Sequence, residues 1–236
     1  MLRHVDHSLV PTGAAPLLLE EPPIEQLRRA LAIPANLITG IGAHQWNNPT
    51  PCARWSVRDL VGHLIEGHHL VAALLGGAHP PLPRPAPARH SADPHEAFAR
   101  GYRDASDNLL AAFSHDDALH RLAHIPLGGA IPTRSKPSTT VEAVVIGPVT
   151  GAVALHLRIV EALMHGWDLA QATGQNAQFP EELTEQALGF IIGRLITQPD
   201  AKAVFEPSQT APAYAPAINR LAACLGRNPH PSTHTG

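Results

Sequence analysis

The sequence predicts an all-α protein, a bundle of helices packed on one another. Apolar residues recur at helical spacing in several long stretches, and helix start and stop signals bracket these stretches. Strand signals are few, so the helices must cover one another. The 236 residues, 44% of them apolar, suffice for one sizeable domain. We expect a flexible N-terminal tail over 1–23, the bundle over 24–198, and over 199–236 a small C-terminal annex with a short helix and a polar tail.

The first two helices are predicted from the residues at their boundaries. Helix one spans about 24–44, and Pro34 inside it predicts a kink or a break. Ser56 and Asp59, three residues apart, form a capping box that starts helix two, which runs to about residue 75 before two glycines end it. Between the two helices, the asparagines and prolines of 47–51 predict a turn.

The rest of the chain alternates loops with helices. A proline-rich extended loop is expected over 80–87, and 116–143 is expected to be loop with room for a small hairpin. The dipeptide at 147–148, Gly-Pro, is predicted to open the fourth and longest helix, which ends at Gly174. Three further helices are predicted over 94–114, 181–197 and 217–225.

Composition excludes several classes of function. A net charge of -3 gives no basic surface for nucleic acid. No apolar run approaches the roughly 20 residues needed to cross a bilayer. The two cysteines, Cys52 and Cys224, lie far apart without the spacing of a zinc ribbon or a disulfide scaffold, which suits a reducing compartment. We therefore expect a cytoplasmic protein without nucleic-acid or membrane partners.

Ionisable side chains cluster on one face of the fourth helix. Glu161 and His165, four residues apart, lie about 40° apart around the helix axis. Asp168 falls about 20° to the other side of Glu161, and Arg158 about 60° away on the His165 side. The same face carries apolar residues, so it points at least partly inward, and its polar groups need partners.

The second helix offers a partner, because His63 lies on its apolar face. Two histidines and one glutamate on facing helices match the ligand set of a catalytic zinc site, which keeps its fourth position open. Zinc or nickel would suit these donors. Motifs of other enzyme classes are absent from the sequence: it contains no GxGxxG, P-loop, GxSxG or HExxH.

Each of these residues also has a structural interpretation. His63 could be a hydrogen-bonded core histidine, and Glu161 with His165 could be a pair on the helix surface. Asp168 could orient a ligand histidine or join a salt bridge. Arg158 could pair with a carboxylate in the bundle or neutralise an anionic substrate.

Three other kinds of side chain are assigned structural places. The tryptophans Trp55 and Trp167 are expected in the core, and Cys52 is expected to be a packing residue. The adjacent histidines His68 and His69 are expected in solvent.

Three segments carry a resemblance to a known family. They are NPTPCARWSVRDLVGHL at 48–64, LRIVEALMHGWDLAQATG at 157–174 and NRLAACLGR at 219–227. The first two resemble the metal-binding helices of actinobacterial DinB-like proteins, which belong with the mycothiol-dependent maleylpyruvate isomerases. The resemblance implies a DinB-type four-helix bundle whose metal ligands fall on His63, Glu161 and His165.

The resemblance also implies a function. We expect a transferase or isomerase that depends on zinc or nickel and uses a low-molecular-weight thiol such as mycothiol to attack an electrophilic substrate. In this hypothesis Asp168 orients a ligand histidine and Arg158 offsets substrate charge. The alternative is a metal-binding bundle without turnover, such as a sensor or a stress-related protein. A homodimer is compatible with both, because helical bundles often pair through exposed apolar stripes.

Overall fold

The architecture is a helical bundle with one small hairpin. The structure, a computed structural model, describes residues 21–52, 55–77, 94–127, 144–197 and 206–229. These ranges contain the following elements: α1 Pro23–Thr39, α2 Val57–Leu75, α3 Pro94–Phe113, β1 Leu122–Leu127, β2 Val144–Thr150, α4 Gly151–Thr173, α5 Glu181–Thr197 and α6 Ala217–Cys224. The predicted helical fold class is confirmed. No helix in the described ranges combines the length and the apolar character needed to span a membrane.

Helix α4 is the central element of the bundle. It packs against α1, α2, α5 and α6 and against both strands, while α3 closes the other side of α1 and α2. Seventeen of its 23 residues are buried, so the polar side chains that it carries must find partners inside the protein. Leu155, Leu163 and Trp167 form part of the main core together with residues of α1 and α5.

Side-chain hydrogen bonds at the N-termini of α2 and α4 determine where these two helices begin. Ser56 accepts a hydrogen bond from the backbone N–H of Asp59, and the Asp59 carboxylate accepts one from the Ser56 backbone, so the predicted capping box starts α2. Helix α4 starts behind Thr150, whose hydroxyl accepts from the Val153 backbone, and it ends at Gly174 as predicted.

Three boundary predictions are corrected by the structure. Helix α1 ends at Thr39 rather than near residue 44, because glycines at 40 and 42 follow, and it continues without a break through Pro34. The dipeptide at 147–148 lies in β2 instead of opening α4, because 144–150 pairs antiparallel with β1. The hairpin expected within 116–143 is present, but its second strand, β2, lies just beyond that range, at 144–150.

Other predictions fall on parts of the chain outside the described residues. These are the N-terminal tail up to residue 20, the proline-rich loop at 80–87, residues 128–143 of the predicted loop, and the chain beyond residue 229.

Candidate metal centre

Three side chains from α2 and α4 converge at the interface of these helices. Nε2 of His63 lies 3.3 Å from Oε2 of Glu161, and Nε2 of His165 lies 3.1 Å from the same oxygen. One nitrogen or oxygen of each residue lies within 4.8 Å of the others. The side chains of His63 and Glu161 are 16% exposed and that of His165 is 7% exposed, so the cluster is largely buried but retains some contact with solvent.

His165 is held from both ring nitrogens. Its Nδ1 lies 3.0 Å from Oδ2 of Asp168, while its Nε2 faces Glu161. Both partners are carboxylate oxygens, which only accept when ionised, and a neutral imidazole has a single N–H to donate. With Nδ1–H donating to Asp168, Nε2 directs its lone pair at Glu161. The arrangement therefore calls for a proton or another cation between His165 and Glu161.

Asp168 connects the centre to the C-terminal part of the chain. Its carboxylate is fully buried and accepts two hydrogen bonds from Arg227, at 3.3 Å from Nε and 3.0 Å from Nη2. Burial alone would raise the pKa of Asp168, but His165 and Arg227 outweigh it and lower that pKa below its ordinary value. Asp168 is thus an ionised acceptor for the Nδ1–H of His165.

Arg158 places a buried positive charge beside Glu161. Its side chain is 4% exposed, and Nη2 lies 3.7 Å from Oε2 of Glu161. A Cβ at Gly67 would stand 2.7 Å from Nη1 of Arg158, so the absence of a side chain there lets the guanidinium lie against α2. Of the two roles open to Arg158, the geometry shows pairing with a carboxylate in the bundle.

The charges around the cluster set the protonation of Glu161 and His165. Burial alone would raise the pKa of Glu161, but Arg158 and the two histidines hold it well below its ordinary value. Burial would lower the pKa of His165, but its hydrogen bonds to Asp168 and Glu161 raise it above 6.5. Burial prevails at His63, where it lowers the pKa. Glu161 is therefore an anion. It lies next to His165, whose raised pKa shows that a positive charge on its ring is stabilised.

Trp55 forms an aromatic wall over the two histidines. Its ring centroid lies 4.3 Å from that of His63 and 5.7 Å from that of His165. The Trp55 side chain is half-buried and packs against the edge of the core, whereas Trp167 is fully a core residue as predicted. Nδ1 of His63 is buried and has no hydrogen-bond partner within the described residues. Contact with Trp55 therefore replaces, at His63, the hydrogen bond that orients His165.

His68 was predicted to be solvated and is instead completely buried. It lies five residues after His63 in α2, on a different face of the helix, and its ring packs 5.2 Å from that of Tyr102 in α3. Neither ring nitrogen has a hydrogen-bond partner in the described part of the chain. The prediction that His68 is solvated failed because α3 and α4 pack against adjacent faces of α2. The buried surface of α2 is therefore broader than its stripe of apolar residues, and it includes His68.

The donor chemistry fits a divalent transition metal. Imidazole nitrogens and a carboxylate oxygen are the ligands of catalytic zinc sites, and nickel accepts the same donors. The ionised Glu161 supplies negative charge, and Nε2 of His165, 3.1 Å from that carboxylate, offers a lone pair to a cation that takes the place of a proton between them. Within the described residues, three such donors converge here, the number that leaves a coordination position for another molecule.

The structure brings together the five residues singled out from the sequence. His63, Glu161 and His165 form the cluster, Arg158 contacts Glu161, and Asp168 contacts His165.

Sequence reasoning missed two contributors, Trp55 and Arg227. Trp55 is only eight residues before His63, and its position ahead of the capping box could have placed it near the start of α2. Arg227 is 59 residues from Asp168, and no local pattern links the two.

A family comparison decides the relationship. The model of the family described as "Mycothiol maleylpyruvate isomerase N-terminal domain" matches residues 27–170, more than half of the chain. The chain belongs to this family. The resemblance seen in the sequence is thereby confirmed, and the matched range includes α2, the hairpin and α4 as far as residue 170.

The chain is similar to two uncharacterised proteins of Mycobacterium tuberculosis, from strains CDC 1551 / Oshkosh and ATCC 25618 / H37Rv. Each is 31% identical over 209 residues, which is 87% of this chain and 97% of the relative. Among solved structures, a crystal structure of a histidine-to-alanine mutant of the mycothiol-dependent maleylpyruvate isomerase is similar with a TM-score of 0.49 and 14% identity. That likeness covers 70% of this chain and 66% of the other.

Proposed function

We propose that this protein is a metal-dependent transferase or isomerase that uses a low-molecular-weight thiol such as mycothiol to attack an electrophilic substrate. The observation that carries the proposal is the cluster of His63, Glu161 and His165, in which two imidazole nitrogens meet one ionised carboxylate oxygen. Membership of a family described by mycothiol and maleylpyruvate isomerase supports the choice of thiol and of reaction. Neither cysteine is in a disulfide, which agrees with a cytoplasmic setting.

The proposal gives each residue a part. His63, Glu161 and His165 would hold the metal, with zinc as the first choice and nickel as the second. A bound metal of this kind supplies Lewis acidity, which lowers the pKa of a coordinated thiol and makes a thiolate available near neutral pH. Asp168 holds the Nδ1–H of His165, so that Nε2 is the nitrogen with the free lone pair. Arg158 keeps Glu161 ionised.

The surroundings of the cluster suit a reactive thiolate. Trp55 lies against the rings of His63 and His165, where its indole would exclude water from that side. The cluster is partly exposed, whereas the guanidinium of Arg158 is buried behind Glu161. Substrate and thiol would therefore approach from the exposed side, and the charge of Arg158 would reach them through Glu161 and at a distance.

The first test measures bound metal. We expect about one zinc or nickel per chain in the tag-free protein, by inductively coupled plasma mass spectrometry, and a loss of that metal in His63→Ala. His156→Ala is the matched control: His156 bonds the backbone oxygen of Ala152 and stacks on Phe190, so its loss should leave the metal content unchanged. Absence of metal in the wild-type protein, even after incubation with zinc, would remove the proposal.

The second test measures turnover. Maleylpyruvate and other electrophiles are offered with mycothiol to the metal-loaded protein and to Glu161→Gln, which keeps the shape of the side chain but removes its charge. We expect turnover by the first and none by the second. Equal turnover by both would contradict the role given to Glu161. Metal-dependent stabilisation without thiol binding at millimolar concentration would instead identify a metal-binding bundle without catalysis.

A further inference from the structure

The segment after α6 contributes a side chain to the metal centre. The Arg227 guanidinium donates a hydrogen bond to each carboxylate oxygen of Asp168. Its remaining nitrogen, Nη1, donates to the backbone oxygen of Leu225 at 3.0 Å. Oδ2 of Asp168 accepts from Arg227 and from His165 at the same distance, 3.0 Å. Arg227 lies outside the residues 27–170 that the family model matches.

The backbone around Arg227 is built to hold this position. Gly226 has a φ of +86°, and a Cβ there would lie 2.5 Å from the backbone oxygen of Glu206, so the turn after α6 requires glycine. The backbone N–H of Arg227 donates to the oxygen of Ala222 at 2.9 Å, which ties the arginine to the last turn of α6. These two features fix the position of the Arg227 backbone relative to α6, and with it the origin of the side chain.

Helix α6 is itself anchored to the bundle by contacts that do not involve the metal centre. Asn219 accepts a hydrogen bond from Nε1 of Trp167 in α4 at 3.2 Å. Arg220 forms an ion pair with Glu185 in α5 and donates to the backbone oxygen of Ala215 at 3.0 Å. Docking of the helix and placement of Arg227 can therefore be perturbed separately.

The two bonds of the guanidinium fix the plane of the Asp168 carboxylate, because a rotation about the side chain would break both. With the carboxylate fixed, the Nδ1–H of His165 has one direction in which to donate, and its Nε2 is aimed at Glu161. His63 has no such chain of hydrogen bonds, since its Nδ1 lacks a partner among the described residues. Of the two histidines in the cluster, His165 is therefore the one whose ring is oriented by hydrogen bonds to Asp168 and, through it, to Arg227.

We propose that Arg227 is a positioning residue of the metal centre, which fixes Asp168 and through it the tautomer and ring orientation of His165. The site is then complete only when the segment after α6 is in place. This inference rests on the proposed metal site and adds to it a contribution from the C-terminal part of the chain.

The experiment compares the full-length wild-type protein with Arg227→Ala, Arg227→Lys and the control Arg220→Ala. Zinc affinity is measured by competition with a chromophoric chelator. The tautomer of His165 is measured on the zinc-free proteins at alkaline pH by the ¹⁵N chemical shifts of its ring. We expect Arg227→Ala to weaken zinc binding by about 10- to 100-fold, the usual effect of removing an outer hydrogen-bond partner of a metal site. Arg227→Lys should show an intermediate loss, because a lysine restores the charge but not the two parallel bonds.

The readouts separate the possible outcomes. Arg220→Ala should lower the melting temperature and leave zinc affinity and tautomer unchanged. Wild-type affinity and an Nδ1–H tautomer in Arg227→Ala would overturn the inference, and so would an equal loss of affinity in Arg220→Ala, since docking of α6 would then explain it. If Arg227→Ala does not fold, Arg227→Lys and Arg227→Gln carry the same readouts. If the wild-type protein binds neither zinc nor nickel, the proposed function fails, and the tautomer of His165 still decides the inference about Arg227.

Discussion

The packing of Arg158 against Gly67 makes a sharp prediction about stability. In Gly67→Ala the new Cβ would lie 2.7 Å from Nη1 of Arg158, whereas ordinary contact begins at 3.4 Å. The guanidinium must therefore move by about 0.7 Å in an interior that is already close-packed. Because Arg158 is buried beside Glu161, it cannot swing into solvent without giving up that partner.

The expected magnitude combines two opposing effects. Overpacking of a core position destabilises by about 1–3 kcal/mol. Replacing glycine by alanine inside a helix stabilises by about 1 kcal/mol. Gly62 provides the matched control in the same helix, because a Cβ there meets nothing within 4 Å. Gly62→Ala should stabilise the protein by the helix effect alone, so the two variants should differ by about 1–3 kcal/mol in the free energy of unfolding.

The assay is urea unfolding of zinc-free protein followed by circular dichroism, with thermal unfolding as a second measure. For a chain of this size the difference corresponds to roughly 2–12 °C in melting temperature between the two variants. Arg158→Met, which removes the crowded nitrogen, should relieve the defect of Gly67→Ala in a double-mutant cycle by at least about 1 kcal/mol. Equal stabilisation by Gly62→Ala and Gly67→Ala would refute the placement of the guanidinium against α2.

Two further predictions concern buried polar groups. Burial holds the pKa of His68 well below 6.5, so the unfolded chain binds a proton that the folded one does not. The free energy of unfolding of the wild-type protein should thus fall, as the pH drops below about 6.5, by up to about 1.4 kcal/mol per pH unit more than that of His68→Leu. Urea titrations between pH 7 and 5 measure this, and equal slopes would contradict it. Asn219→Ala should leave the buried N–H of Trp167 without an acceptor and destabilise by about 1–3 kcal/mol, whereas Asn219→Asp keeps an acceptor; equal melting temperatures for the wild-type protein and Asn219→Ala would count against this bond.

Local patterns predicted what local geometry determines. The capping box of Ser56 and Asp59 gave the start of α2 to the residue, because its hydrogen bonds join positions three apart. The spacing of Glu161, His165 and Asp168 placed three side chains on one face of α4, since a helix has a fixed angular step. In both cases the number of residues between two positions is enough to predict how their side chains lie relative to each other.

Features that depend on distant partners were not predictable in the same way. The stretch at 144–150 carries β-branched residues, but its Gly-Pro pair also suits a helix start, and only pairing with β1 decides for the strand. His68 is buried because two helices cover α2 from adjacent sides, which its own periodicity does not reveal. The contact of Arg227 with Asp168 joins segments 59 residues apart.

The contact between His63 and Glu161 also bears on how the length of the chain can vary. The two residues are 98 positions apart and meet at 3.3 Å, so any bond through this point closes a long loop. The entropy of closing a loop grows only with the logarithm of its length, and doubling the loop costs about 0.6 kcal/mol more. Insertions or deletions of a few residues between α2 and α4 should therefore change the closure entropy very little. Relatives can therefore differ in the lengths of the segments between α2 and α4 while His63 and Glu161 keep their contact.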